Sequence, residues 1–266
     1  MIEAADPGPV PLTLEHGLRG RVRVGSLVAA PVSVVPTEGD LERIQRLRFQ
    51  VFNLELGEGL AESFETGRDQ DAFDHQCQHL LVETVAGDEV VGTYRLQVAE
   101  TAFAGVGFYS ATEFDFGTMP ESLLQDSVEL GRACVSKEHR SRRALFLLWR
   151  GLIAYSVYNE KKAFFGCSSL TSQDPAEGLR FYAALREQGR VHPTVRVDPL
   201  PAFACACAGS IEGPPVPVPK LFGIYLRHGG YILGPPALDR EFGTIDYLTH
   251  VTVDQSHLKA FGGRRR

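Results

Sequence analysis

No apolar run of this chain approaches the ~18 residues that a bilayer-spanning helix needs, so an ordinary transmembrane helix is excluded. The opening residues, MIEAADPGPVPLTLEHG, have neither a basic n-region nor an apolar core, and no secretory signal is expected. Basic charge is not in excess: 27 Lys and Arg against 33 Asp and Glu give a net charge of −6, which argues against broad nucleic-acid binding. Cysteine is sparse and odd in number, with five scattered residues (Cys77, Cys134, Cys167, Cys205 and Cys207), so there is no disulfide framework and a reducing cytoplasm is expected. His75, Cys77 and His79 alternate as if on one strand face. No second Cys/His cluster completes a zinc set, and no metal is expected. Cys205 and Cys207 lie in an Ala-rich run and read as small core residues.

What is present is an ordinary globular composition, 44% hydrophobic and 23% charged over 266 residues, enough for a single α/β domain. We expect a flexible tail over residues 1–18, one domain over 19–255 and a basic tail over 256–266. The most informative stretch is 127–169, which reads as strand, basic loop, buried helix and strand. Val128 and Leu130 precede Gly131, and Ala133 and Val135 follow it. That change of parity is the mark of a β-bulge, and it puts Glu129 and Arg132 on one side of the sheet. The next loop carries Lys137, Arg140, Arg142 and Arg143 against Glu138, then opens a helix with six apolar residues, Ala144 to Trp149. A helix apolar all round is buried, so its N-terminal N–H groups, with arginines beside them, form an anion site.

Elsewhere the patterns predict a strand within 19–35, an amphipathic helix over 38–53 and a hairpin of strands 80–85 and 89–98. Helices are predicted over 174–187 and 219–227, the second stopped by Gly229 and Gly230, and a last strand over 243–254. Residues 191–219, rich in proline, read as an extended insertion with a strand inside.

The stretch 127–169 resembles the central strand, donor loop and helix of the GNAT acyltransferase superfamily. Within it, ELGRACV (129–135), LLWRGL (147–152) and GCSS (166–169) resemble the acyl-carrier-protein-dependent N-acyltransferases of lyso-ornithine lipid synthesis, often labelled hemolysin-like. LRFQVFNLELG (47–57), DAFDHQCQHLLV (71–82), GTYRL (92–96) and FGTIDYLTHV (242–251) match in order, so the likeness covers roughly 20–254. The resemblance implies a GNAT-like α/β (α+β) fold: a mixed, mostly antiparallel sheet with helices on both faces and a splayed central strand pair. It implies transfer of a fatty acyl group to the α-amine of an amino acid, ornithine first, with other acceptors or lactone-forming synthesis as alternatives. A non-catalytic acyl-chain or membrane-binding member is the reading from another class.

The donor loop departs from GNAT enzymes that use coenzyme A. Those carry Arg/Gln-x-x-Gly-x-Gly/Ala, so that bare backbone wraps the pyrophosphate. Here Arg140-Ser141-Arg142-Arg143-Ala144-Leu145 has neither glycine. Arginines suit an acidic acyl carrier protein, so acyl-phosphopantetheine on that protein is the expected donor and acyl-coenzyme A the lesser one. No bound cofactor is expected. Acyl carrier protein and an amino acid are the expected partners, with peripheral contact with the inner membrane as a further one.

N-acylation needs a proton acceptor and an oxyanion donor. Glu129, beside Arg132, is the first candidate for the base, with a structural ion pair to Arg132 as the competing role. Backbone N–H groups freed by the bulge are the oxyanion donors. Cys134 and Cys167 have no His partner in sequence, so direct transfer is simpler than a covalent intermediate; Cys134 is grouped with Arg140, Arg142 and Arg143 on the donor side. The resemblance implies that Asp71 and Asp74 line the acceptor side, with Arg95 across from them holding the substrate carboxylate. Arg48 and Asp246 complete the acceptor set. Phe146, Trp149, Phe164 and Phe165 either line an acyl tunnel or fill the core.

Overall fold

The computed structural model describes residues 22–24, 27–29, 38–87 and 89–261. The N-terminal tail expected over 1–18 and the arginines of the C-terminus lie outside them. Nine strands form one sheet: β1 (Val22–Val24), β2 (Leu27–Ala29), β3 (Gln78–Thr84), β4 (Val90–Val98), β5 (Ser127–Val135), β6 (Ala163–Leu170), β7 (Tyr231–Ile232), β8 (Ala237–Asp239) and β9 (Thr244–Thr252). Their order is β1-β2-β3-β4-β5-β6-β9-β7, with β8 also on β9. Neighbours run antiparallel except β5 and β6. The mixed, mostly antiparallel sheet implied by the resemblance is therefore present.

Alternation along the strands decides which helix covers which face. Leu80, Val82, Tyr94 and Leu96 pack on Leu147, Leu148 and Leu152 of helix α5, Arg142–Tyr158. Leu81 and Cys134 point the other way, onto Ile44, Leu47 and Val51 of helix α1, Glu38–Phe49, and its continuation. With a helix on either side, all nine residues of β4 are buried. Each large aliphatic side chain so buried contributes ~1.5–3 kcal/mol. The apolar run at the start of α5 is what fixes its N-terminus: Ser141 caps it, its Oγ accepting the Ala144 N–H at 3.3 Å.

Several expectations are corrected here. The single strand expected within 19–35 is a pair of three-residue antiparallel strands, β1 and β2. The helix expected over 38–53 changes to a π-helical turn, Gln50–Leu56, closed by Gly57 at φ 68°. Residues 191–219 hold no strand; a short 3-10 turn, Pro201–Phe203, and isolated bridges hold them to the body. Where the basic tail was expected to begin, Gln255–Phe261 form a helix whose Phe261 stacks on Trp149 with ring centroids 5.6 Å apart.

The fork that makes the site lies between β5 and β6. They pair only over Ser127–Glu129 and Ala163–Phe165. At the next step, Gly166 meets the Leu130 carbonyl: a Cβ there would sit 2.1 Å from that oxygen. Beyond it the strands separate, as β6 stays with β9 and β5 stays with β4.

Candidate active site

The fork opens into a cleft of about 630 Å³. One set of lining residues is apolar: Leu145 and Leu148 of α5, Leu221, Ile224 and Tyr225 of helix α7 (Lys220–Arg227), and Val51 and Phe52. The other set is polar: Arg95, Tyr109, Glu129, Arg132, Ser168 and Asp246. Phe146 and Trp149 do not line it, and Trp149, Phe164 and Phe165 are buried core residues. A site that joins an apolar gallery to a few converging polar groups suits an amphiphilic substrate.

The bulge in β5 is real but sits one residue past Gly131. Arg95 faces Gly131 and Thr93 faces Cys134, so Arg132 and Ala133 together oppose Tyr94 alone. Arg132 takes φ 47°, a left-handed conformation that costs a non-glycine residue about 1 kcal/mol or more. The turn brings Arg132 and Glu129 to the same side, both against Tyr109. They do not pair with each other. Glu129 accepts the Tyr109 N–H at 3.1 Å and the Ser110 N–H at 2.7 Å. Burial raises its pKa above the usual carboxyl value, and the Ser110 hydrogen bonds only partly oppose this.

Arg132 instead joins a buried network in which three arginines meet three aspartates. Arg48 donates to Asp69 at 2.6 Å and to both oxygens of Asp74 at 2.9 and 3.1 Å. Arg95 Nη1 reaches Asp71 at 2.6 and 2.7 Å and Asp74 at 3.0 Å. Arg132 Nη2 donates to Asp71 at 3.0 Å, while its Nε lies 3.3 Å from Asp69, near enough for an ion pair but misaligned for a hydrogen bond. Burial alone would raise Asp71 and Asp74, yet the arginine charges win and both carboxyls are lowered. Asp71 and Asp74, expected to line the acceptor side, are held by Arg48, Arg95 and Arg132. Arg95 Nη2 is different: it is buried in the cleft wall without a hydrogen-bond partner among the described residues.

Asp69, which the sequence pattern did not single out, completes the network. Tyr109 was also missed; Arg95 and Arg132 stack on its ring at 5.2 and 4.7 Å. Asp246 accepts Ser169 Oγ–H at 2.5 Å and Thr244 Oγ1–H at 2.9 Å, and burial lifts its pKa to about 6. Its carboxyl meets those of Glu113 and Asp239, one oxygen of each lying within 4.8 Å of the others. Among the described residues this is the group able to share a cation, rather than His75, Cys77 and His79; His79 is tied by Nε2 to the Asp74 carbonyl at 3.0 Å.

On the donor side, Arg140 is held by Glu55 at 2.5 and 2.8 Å and by the Val135 carbonyl at 3.1 Å. Arg142 and Arg143 are exposed and make no ion pair with another described residue. Cys134 is buried, and loss of hydration pushes its thiol up to about 12, so it carries no thiolate at neutral pH. Burial raises Cys167 likewise.

A splayed parallel pair in an otherwise antiparallel sheet, opening on a buried carboxylate, defines an acyltransferase of the GNAT class. Residues 47–150 match the acetyltransferase (GNAT) domain family. The chain is 33% identical to the L-ornithine N(alpha)-acyltransferase of Agrobacterium fabrum strain C58, over 93% of this chain and 88% of that one. It is 34% identical to the enzyme of the same name from Brucella abortus strain 2308, over 88% and 86%. The chain belongs to the L-ornithine N(alpha)-acyltransferase family. Among solved structures, the crystal structure of the AHL synthase LasI aligns with 86% of this chain and 93% of its own at 14% identity and a TM-score of 0.46.

Proposed function

We propose that this acyltransferase moves a long acyl group from the phosphopantetheine thioester of acyl carrier protein to the α-amine of ornithine. The observation that carries the reading is the cleft itself, an apolar gallery that ends at Glu129 where β5 and β6 part. The acyl chain lies along Leu148, Leu221 and Ile224, and the thioester carbonyl reaches the bulge at Arg132 and Ala133. Backbone N–H groups there, which have no β6 partner, stabilise the oxyanion as the amine attacks. Glu129 takes the amine proton, directly or through a water; its raised pKa makes it a better base than an exposed carboxylate. The tetrahedral species collapses, the C–S bond breaks and the pantetheine thiol leaves with a proton. The high thiol pKa of Cys134 supports direct transfer over an acyl-cysteine. Arg95 Nη2, free within the wall, receives the acceptor carboxylate.

A carrier-protein donor is supported by a donor loop without glycine and by the exposed Arg142, at the cleft, and Arg143, next to it, neither of which pairs with another described residue. Their attraction for an acidic partner weakens with salt, because the Debye length falls from ~10 Å at 0.1 M to ~3 Å at 1 M. With ornithine as acceptor, acyl carrier protein should outrun acyl-coenzyme A bearing the same chain, and its lead should shrink at 1 M salt. Arg142→Glu with Arg143→Glu should remove most of that lead. Efficient, salt-independent use of acyl-coenzyme A would overturn the donor, and absence of N-acylornithine by mass spectrometry would overturn the reaction.

A further inference from the structure

Glu113, Asp239 and Asp246 come from the end of the Tyr109–Thr112 turn, from β8 and from β9, and all three are buried where they meet. Two are partly satisfied. Asp239 Oδ1 accepts the N–H groups of Glu241 and Phe242, both at 2.9 Å, and Asp246 has Ser169 and Thr244. Glu113 is less so: the residue is 1% exposed, its Oε2 meets the Cys167 Sγ–H at 4.0 Å, and its Oε1 has no hydrogen-bond partner among the described residues. Arg132 is the cation whose field reaches Glu113 and Asp246. Its guanidinium, however, is committed to Asp69 and Asp71 and packed over Tyr109 and Phe242. Burial and the neighbouring Asp246 and Asp239 push the Glu113 carboxyl well above the usual range, as befits an acidic group with an idle oxygen that lacks a cation bringing its own N–H donors.

The trio reaches the cleft through one member. Asp246 lines the cleft directly. The turn Tyr109–Thr112 ties the rest together: its first two N–H groups hold Glu129, and Glu113 follows at its end. Three residues of such a turn advance ~6 Å. The two nitrogens of ornithine stand about that far apart along an extended chain of roughly 1.5 Å bonds. An ammonium has three N–H groups, one for each carboxylate. A Ca²⁺ ion would want six to eight oxygens, and several of those here already accept other donors.

We propose that Glu113, Asp239 and Asp246 bind the second, non-reacting ammonium of the acceptor, so that the site selects diamino acids over neutral ones. The assignment rests on the reading that the reacting amine meets Glu129. It also explains why the aspartates of the arginine network are free to serve the fold: the cation is read on the opposite side of the cleft.

Calorimetric titration of the full chain with ornithine and with norvaline, its analogue lacking the terminal amine, tests this. The titrations are run with and without a non-transferable acyl-pantetheine thioether, so the result is read independently of turnover. Ornithine should bind roughly tenfold or more tightly than norvaline, the increment of a charge-assisted hydrogen-bonded contact. Glu113→Gln, which alters an oxygen without a partner, should bring ornithine down to the norvaline level. Asp246→Asn serves as a second variant if the first does not fold. Equal affinities in the native protein would overturn the assignment, as would an undiminished preference in both folded variants. Uptake of Mn²⁺ that is lost in Glu113→Gln while ornithine affinity stays would make the trio a metal site instead.

Discussion

Replacing Arg48 by Met tests whether Asp69, Asp71 and Asp74 hold the fold or the substrate. Arg48 is wholly buried and makes three hydrogen bonds, to Asp69 and to both oxygens of Asp74, which are themselves buried. Met fills much of the space but leaves three aspartates facing Arg95 and Arg132 alone. Removing one partner of a buried ion pair costs ~3–5 kcal/mol, against a domain stability of ~5–15 kcal/mol. Urea unfolding at pH 7.5 should show the midpoint falling with little change of slope. Adding Asp74→Asn should restore part of the loss, giving a coupling of ~1 kcal/mol or more. The lowered carboxyl of Asp74 sets the pH dependence. Its contribution is complete above the unfolded carboxyl pKa of ~3.9 and is lost as pH falls through the folded value. The Arg48→Met deficit should therefore shrink in acid. A loss below ~1 kcal/mol at neutral pH, with a raised KM for ornithine, would refute the structural role and return Asp74 to the acceptor.

Two further outcomes follow from the fork and its floor. Gly166→Ala places a methyl against the Leu130 carbonyl, so the strands must shift where they part; activity should fall at least tenfold while the rest of the sheet survives, as read by turnover and circular dichroism. Asp246 binds its proton more tightly when folded, so its ionisation destabilises the fold as pH rises from ~4 through about 6. Asp246→Asn should raise the unfolding free energy at pH 7.5, by at most ~3 kcal/mol, and should do so less at pH 4; no gain at pH 7.5 would count against a charged, buried Asp246.

Much of this architecture was legible in the sequence because it is written locally. The parity change around Gly131 announced the bulge, although the strained residue is Arg132 and not the glycine. The six apolar residues from Ala144 announced a buried helix start. The charged site was only half legible, because ion pairs between residues 21 to 63 positions apart leave no periodic trace. Asp69 lies in the acid-rich stretch from Glu55 to Asp74, and a run of like charges reads as solvated surface. Its signal was on the other side: Arg48 and Arg95 stand at core positions of α1 and β4 and must have buried acids to face. Glu113 ends a short turn and Asp239 ends the three-residue β8, elements too short to show a pattern, and only the third dimension joins them to Asp246.

The central claim is that the carboxylate at the fork takes the proton from the attacking amine. Single-turnover acyl transfer to ornithine by Glu129→Gln measures it most directly. The amide keeps one acceptor for the Tyr109 and Ser110 N–H groups but cannot take a proton, so the variant is first confirmed folded by its thermal transition. The account predicts a rate lower by roughly 10²–10⁴-fold, with binding of ornithine and acyl carrier protein retained. A folded variant within a few-fold of the native rate would contradict it.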